Sequence, residues 1–198
     1  MTTINLDFRV QVHAIDAKGA WLKNVARLDC RPISIGETKL SCAAAGGDND
    51  DTTSTVHLDL NRQAATESGG VTVGTQLRLV LASQSALCAA SDDNLKHYLI
   101  LPGTAITSPT NTKGKKPSKQ QHTAGRTTTT YDVGEFDIIM RGKCVKRTAT
   151  DVIVSFSGPQ LWVKHAALTS HLTTGGLQEG MDVFLLIHNS SSASTSCA

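Results

Sequence analysis

Lysine and arginine residues are grouped along this 198-residue chain in a way that suits binding to a polyanion. The candidate phosphate-binding residues are Arg9, Arg27, Arg31 and Lys39 in the first half, Lys113, Lys115, Lys116, Lys119 and Arg126 in the middle, and Arg141, Lys143, Lys146, Arg147 and Lys164 in the second half. Side chains that neutralise phosphates release counterions, so such binding weakens as salt is added. The middle group lies in a stretch without Asp or Glu, which favours contact with a polyanion.

Aromatic side chains could add a second kind of contact, because the unpaired bases of a single-stranded nucleic acid stack on them. The four Phe occupy alternating positions that suit a core, so Trp21, Trp162, Tyr98 and Tyr131 remain as stacking candidates, with burial as the alternative for the two Trp. A good stacking contact contributes about 1–3 kcal/mol per base. With few exposed aromatics, binding would be mostly electrostatic.

Catalytic motifs are missing from the sequence. It contains no G-x-S-x-G, phosphate-binding loop or dinucleotide fingerprint, and its seven His include no i,i+4 pair and no HExxH. The Asp-rich "GGDNDD" lacks the downstream Glu of a calcium-binding loop. We therefore expect a protein that is not an enzyme and uses no cofactor or metal.

Composition favours a soluble cytoplasmic protein. No apolar run approaches the roughly 20 residues of a membrane-spanning helix, and no apolar signal-peptide core follows Met1. The five Cys form no CxxC pair, which favours reduced thiols over a disulfide framework.

The elements that must position these residues are predicted to be strands. Apolar and polar residues alternate from Leu6 to Val12, in "TVHLDLN" and in the segments after Tyr131, with the period of half-buried strands. Short helices are predicted at "RQAATES" and Ala166–Leu172, each followed by a Gly pair. The fold class is therefore all-β with brief helical connections.

Two similar halves are predicted. "SGGVTVGTQLRLVL" and "TGGLQEGMDVFLLI" share both Gly of a pair and a third Gly four residues later, and "TKLSCAAAG" can be aligned with "TDVIVSFSG". An internal duplication and a pattern common to all small barrels both remain open. We expect one barrel in residues 1–103, a flexible basic linker in 104–131, a second barrel in 132–189 and a disordered tail in 190–198.

The first half resembles an oligonucleotide-binding (OB) fold, and in particular bacterial single-stranded-DNA-binding proteins. The resemblance rests on the order of "NVARLDCRPISIGETKLSCAAAG", "TVHLDLNRQAATE", "VGTQLRLVL" and "HYLILPG" over about residues 20–103. It implies two OB-like barrels that bind single-stranded nucleic acid without catalysis, in a protein that forms homo-oligomers. The chain lacks the acidic C-terminal tip of many such proteins, since "SSSASTSCA" is neutral.

Two other functions remain open. "GAWLKNVARL" and "LSCAAAGGDND" are similar to small OB-like proteins of mobile elements, which implies a structural or assembly role in a phage or mobile element. "DVIVSFSG", "ALTSHL" and "GLQEGMDVFLLIHNSSS" resemble the small barrel modules that bind oxyanions such as molybdate. The Ala-Arg-Asn stretch expected near the first strand of that module is absent.

Overall fold

The computed structural model describes residues 4–17, 23–40, 55–88, 99–100 and 130–190. Its secondary structure is mostly β, as the alternating pattern predicts. The strands are β1 (Asn5–Ile15), β2 (Val25–Ile35), β3 (Thr38–Lys39), β4 (Thr55–Asn61), β5 (Gln76–Ala82), β6 (Leu87–Cys88), β7 (Leu99–Ile100), β8 (Tyr131–Asp132), β9 (Ile138–Arg147), β10 (Val152–Ser155), β11 (Gln160–Lys164) and β12 (Asp182–Asn189). The helices are α1 (Arg62–Glu67) and α2 (Ala166–Thr174), and 3₁₀ turns cover Gln84–Ala86 and Val133–Glu135.

Several predicted features lie outside the described residues. They are Trp21, Tyr98, nearly all of the predicted linker 104–131 with Lys113, Lys115, Lys116, Lys119 and Arg126, and the tail after residue 190. Of the aligned segment "TKLSCAAAG", the structure describes Thr38 to Leu40, and Thr38–Lys39 form β3. The side chain of Lys39 is also outside the description.

Eight of the strands close into one antiparallel barrel, in the order β1-β5-β12-β9-β10-β11-β4-β2 and back to β1. The two separate barrels expected from the sequence are not shown. Instead, β5 pairs with β12 and β4 pairs with β11, so strands of both halves enter the same ring. Four strands alone would leave two open edges, and joining the halves pairs every one of those edges. Assignment of this barrel to the OB fold stays a prediction.

The strand order is unchanged when the two halves are exchanged. Strands β1, β2, β4 and β5 occupy the same relative places as β9, β10, β11 and β12, and a helix precedes the last strand of each set. The predicted alignment of "TKLSCAAAG" with "TDVIVSFSG" matches β3 with β10. In the barrel, the strand that corresponds to β10 is β2, so the alignment is displaced by one strand. The order is what a duplication would produce, and the duplication itself stays a prediction.

The Gly turns before β5 and β12 make the same hydrogen bonds. Gly74 N–H donates to the Val12 carbonyl at 2.8 Å, and Gly180 N–H donates to the Cys144 carbonyl at 2.7 Å. Their φ angles are +92° and +83°, a region that glycine adopts without steric cost. These turns therefore serve as tight entries to barrel strands.

The barrel interior is a continuous apolar core. Successive side chains of a strand point to opposite faces, so Leu6, Phe8, Val10 and Val12 of β1 all point inward and are at most 4% exposed. Close packing also explains Gly142, where an added Cβ would lie 2.5 Å from the Phe156 ring. The alternating outward positions of β1 are consequently left to polar residues.

A second apolar cluster lies on the outside of β5, β12 and β9. Val80, Leu186 and Ile139 are covered there by Tyr131 and Phe136, which flank the second 3₁₀ turn. This cover leaves the outer surface of the remaining strands to polar residues. Within the described residues, neither helix has the length and hydropathy needed to cross a bilayer.

Candidate nucleic-acid interface

Strand β9 carries the first group of predicted site residues on its outer side. Met140, Gly142 and Cys144 face the core, so Arg141 and Lys143, which alternate with them, face outward. The pairing with β10 then shifts by one residue after Cys144, and this irregularity leaves both Val145 and Lys146 exposed. Three cationic side chains thus lie within six residues on one outer surface.

Strands β10 and β11 extend this surface. Val152, Val154, Leu161 and Val163 are fully buried, so the residues that alternate with them point outward. Cross-strand pairing places Lys146 beside Ile153, and Ile153 beside Trp162. Neighbouring strands are about 4.8 Å apart. We call this surface the basic face, and its members are Arg141, Lys143, Lys146, Trp162 and Lys164.

The side chain of Trp162 is half-buried and held by three neighbours. Its Nε1–H donates to Asp151 Oδ1 at 3.1 Å, and the His57 ring lies 5.6 Å away at an angle of 50°. The Lys164 Nζ lies 3.6 Å from the centroid of the indole. A hydrogen bond from the Thr150 hydroxyl, and then the one from Trp162, lower the pKa of Asp151, so its carboxylate is ionised at neutral pH.

A groove of about 470 Å³ opens at one end of the basic face. Its lining includes Arg141, Lys143, Val145, Ser155, Ser157 and Asp182. The Arg141 Nη2 and Asp182 Oδ2 atoms are 3.5 Å apart, and Arg141 is 35% exposed. The groove therefore combines cations, hydroxyls and one carboxylate, all reachable from solvent.

Arg147, a predicted phosphate-binding residue, donates hydrogen bonds to a neighbouring turn in the structure. Its Nη1–H donates to the Leu177 carbonyl at 2.5 Å, and its backbone N–H donates to Glu179 Oε1 at 2.8 Å. Both partners belong to the segment between α2 and β12. The last residue of β9 is therefore hydrogen-bonded to this segment. Arg147 is thus not part of the basic face.

Arg27, another predicted site residue, neutralises a buried carboxylate. Its Nε–H and Nη2–H donate to the two oxygens of Asp59 at 2.7 and 2.9 Å, and Asp59 is 1% exposed. These hydrogen bonds raise the pKa of Arg27. Its guanidinium is therefore already paired with a carboxylate, and its contact with nucleic acid stays a prediction.

Arg9 and Arg31 are exposed, but they lie elsewhere on the barrel. They belong to β1 and β2, which are separated from the basic face by β5 and β12 on one side and by β4 on the other. Arg31 Nη2 lies 3.4 Å from His13 Nε2. Arg9 and Arg31 therefore lie on a different surface of the described barrel from the basic face.

Sequence reasoning missed Asp182, Ser155 and His57, which contact or line the basic face. The outward position of Ser155 follows from the alternation in β10, a signal that was present in the sequence. Asp182 and His57 lie beside the basic face because β12 pairs with β9 and β4 pairs with β11. Alternation alone does not reveal these pairings. Among the described residues, no three His, Cys, Asp or Glu side chains gather where they could hold a metal ion.

Comparison with known proteins adds no assignment, since no family model matches the chain and no curated protein is significantly similar to it in sequence.

Proposed function

We propose that the protein is a non-catalytic binder of single-stranded nucleic acid that uses the basic face. The supporting observation is the grouping of four cations and one indole on the outer sides of β9 and β11, which both pair with β10. The carboxylates of Asp151 and Asp182 lie among them, and the cations remain in excess. A cytoplasmic location and self-association belong to the same proposal.

The physical basis is backbone binding with counterion release. Lys143 and Lys146 are exposed and Arg141 is accessible, so each is able to approach a phosphate without first breaking a short ion pair. For a single strand, the logarithm of the affinity falls with the logarithm of the salt concentration by about 0.7 per phosphate contacted. We therefore expect weak sequence preference and a marked dependence on salt.

A fluorescence-anisotropy titration with a labelled oligonucleotide at low salt tests the proposal. The K143E/K146E variant should bind at least about 10-fold more weakly, and its salt slope should fall by about 1.4, because two phosphate contacts are lost. The matched control R9E/R31E carries the same change in net charge on β1 and β2. It should lose less than about 3-fold in affinity.

Equal losses in the two variants would show that net charge matters and that the basic face is not the site. Failure of the unmodified protein to bind at micromolar concentration, or binding that added salt leaves unchanged, would contradict the proposed function itself.

A role as an assembly subunit is the second candidate, and the groove supplies the observation that favours it. Asp182 repels phosphate, whereas a groove with both charge signs beside the 52% exposed Val145 suits a polypeptide. The variant D182N separates the two functions. It should tighten oligonucleotide binding about 2- to 5-fold if phosphate is the ligand, and it should reduce association measured by light scattering if the partner is a second copy. E37Q removes an exposed acid from the other half as a control.

A further inference from the structure

Trp162 is held in a fixed orientation on the outer side of β11. The hydrogen bond to Asp151 anchors one edge of the indole, and the His57 ring packs against it from the neighbouring strand. His57 is itself held, with Nδ1 2.6 Å from Asp29 Oδ1 and Nε2 3.3 Å from Thr55 Oγ1. An aromatic ring fixed in this way loses little conformational freedom when a ligand stacks on it.

Lys164 is the movable component of this arrangement. It is the last residue of β11, and its ammonium lies over the indole at 3.6 Å from the ring centroid. A cation–π contact at a solvent-accessible site is weaker than a typical stack of a nucleobase on an aromatic side chain. A base that takes the place of the ammonium therefore gains more than the protein loses.

We propose that Lys164 covers Trp162 only in the free protein, and that one base of a single strand displaces it and stacks on the indole. The displaced ammonium keeps its charge and turns to an adjacent phosphate, on the side away from the Asp151 carboxylate. This inference rests on the proposed function and specifies its ligand as a strand with unpaired bases, since paired bases cannot reach the ring. Lys143 and Lys146 hold the flanking phosphates.

The test uses the full chain with the substitution W21F, which leaves Trp162 as the single tryptophan. Oligothymidylate and an abasic oligonucleotide with the same number of phosphates are titrated while tryptophan emission is recorded. Oligothymidylate should bind on the order of 10-fold more tightly and quench the emission. The abasic strand should bind through phosphates alone and quench little.

Three further variants separate the roles. W21F/W162L should lose the preference for oligothymidylate while retaining affinity for the abasic strand, and W21F/W162F should keep part of the preference. W21F/K164Q should alter the emission of the free protein, because the ammonium over the ring is gone, and should lower the salt slope by about 0.7. The matched control W21F/K146Q should lower the slope equally and leave the free emission unchanged.

Equal affinity for the two oligonucleotides, together with a normal salt slope, would overturn the stacking inference and leave the proposed function standing. Binding of neither strand would overturn both. If W162L unfolds the protein, as circular dichroism would reveal, the comparison of the two strands on W21F still decides the question.

Discussion

At the scale of single residues, the ion pairs decide which charges are available for binding. Arg27 is bound to Asp59, Arg78 to Asp7 and Arg62 to Asp16, so these guanidinium groups already have carboxylate partners within the barrel surface. The outward cations of β9 are less constrained. Counting basic residues in a sequence therefore overestimates the number that lack a carboxylate partner.

Loss of the Arg27 guanidinium should destabilise the barrel. The variant R27M leaves Asp59, which is 1% exposed, as an unpaired buried carboxylate, and we expect the free energy of unfolding in urea to fall by about 2–3 kcal/mol. This lies below the usual cost of breaking a buried pair because the Arg27 side chain is 38% exposed. The double variant R27M/D59L should recover most of the loss.

Arg78 offers the matched comparison, since its partner Asp7 is 26% exposed and can be hydrated when left alone. R78M should cost about 1 kcal/mol. Equal losses in R27M and R78M would show that burial of Asp59 does not set the energy of the pair.

The thiol of Cys30 predicts a loss of stability in alkali. Burial raises its pKa to about 12, whereas an unfolded thiol titrates near 9. Between these two pKa values the folded state holds a proton that the unfolded state releases. The stability that the protonated thiol contributes is therefore fully present below pH 9 and declines by about 1.4 kcal/mol per pH unit above it. The free energy of unfolding in urea, measured between pH 8 and 11, should fall less steeply for C30A than for the unmodified protein. Parallel curves would assign the alkaline loss to other groups.

At the scale of elements, the hairpin formed by β10 and β11 provides part of the lining of the groove. Its loop consists of Ser157 and Gly158, with φ angles of +59° and +134°, and Phe156 N–H donates to the Pro159 carbonyl at 2.8 Å. A positive φ is uncommon for serine and easier for asparagine. The loop thus holds its shape at a small cost in conformational energy.

Replacing Ser157 by Asn should stabilise the protein by about 0.5 kcal/mol, because Asn-Gly is favoured in two-residue hairpin loops. S157V should destabilise it by about 1 kcal/mol, since a β-branched side chain resists positive φ. Thermal unfolding measures both changes. Oligonucleotide affinity should change less than about 2-fold in S157N, which keeps the charges of the basic face; a larger loss would indicate a direct role for the hydroxyl.

Individual elements were predictable from the sequence, and their neighbours were not. Alternation and the Gly pairs predicted β1, β4, β5, both helices and the strands of the second half, because those signals are local. The partners of β4 and β5 depend on which edges meet in three dimensions. For the same reason, the sequence predicted Lys143 and Trp162 as site residues without revealing that Arg27 is paired and that Arg9 lies on another surface.

At the scale of the whole molecule, closure of the ring makes the two halves depend on each other. The β4–β11 and β5–β12 pairings both cross between halves, and one core cluster includes Phe8 and Leu185 from opposite ends of the chain. Separation would expose four strand edges and split this core. Cooperative unfolding of the entire barrel is therefore expected, as for a single domain.

Fragments of the chain test this dependence. Residues 1–103 and 104–198, produced separately, should each give poorly dispersed amide NMR spectra, because neither half can pair its edge strands or close its core. Mixing or co-expressing them should restore the dispersed spectrum of the intact barrel, and the intact protein should show coincident urea transitions by circular dichroism and tryptophan fluorescence. Cooperative folding of either fragment alone would support two independent barrels and contradict the dependence inferred from the cross-half pairings.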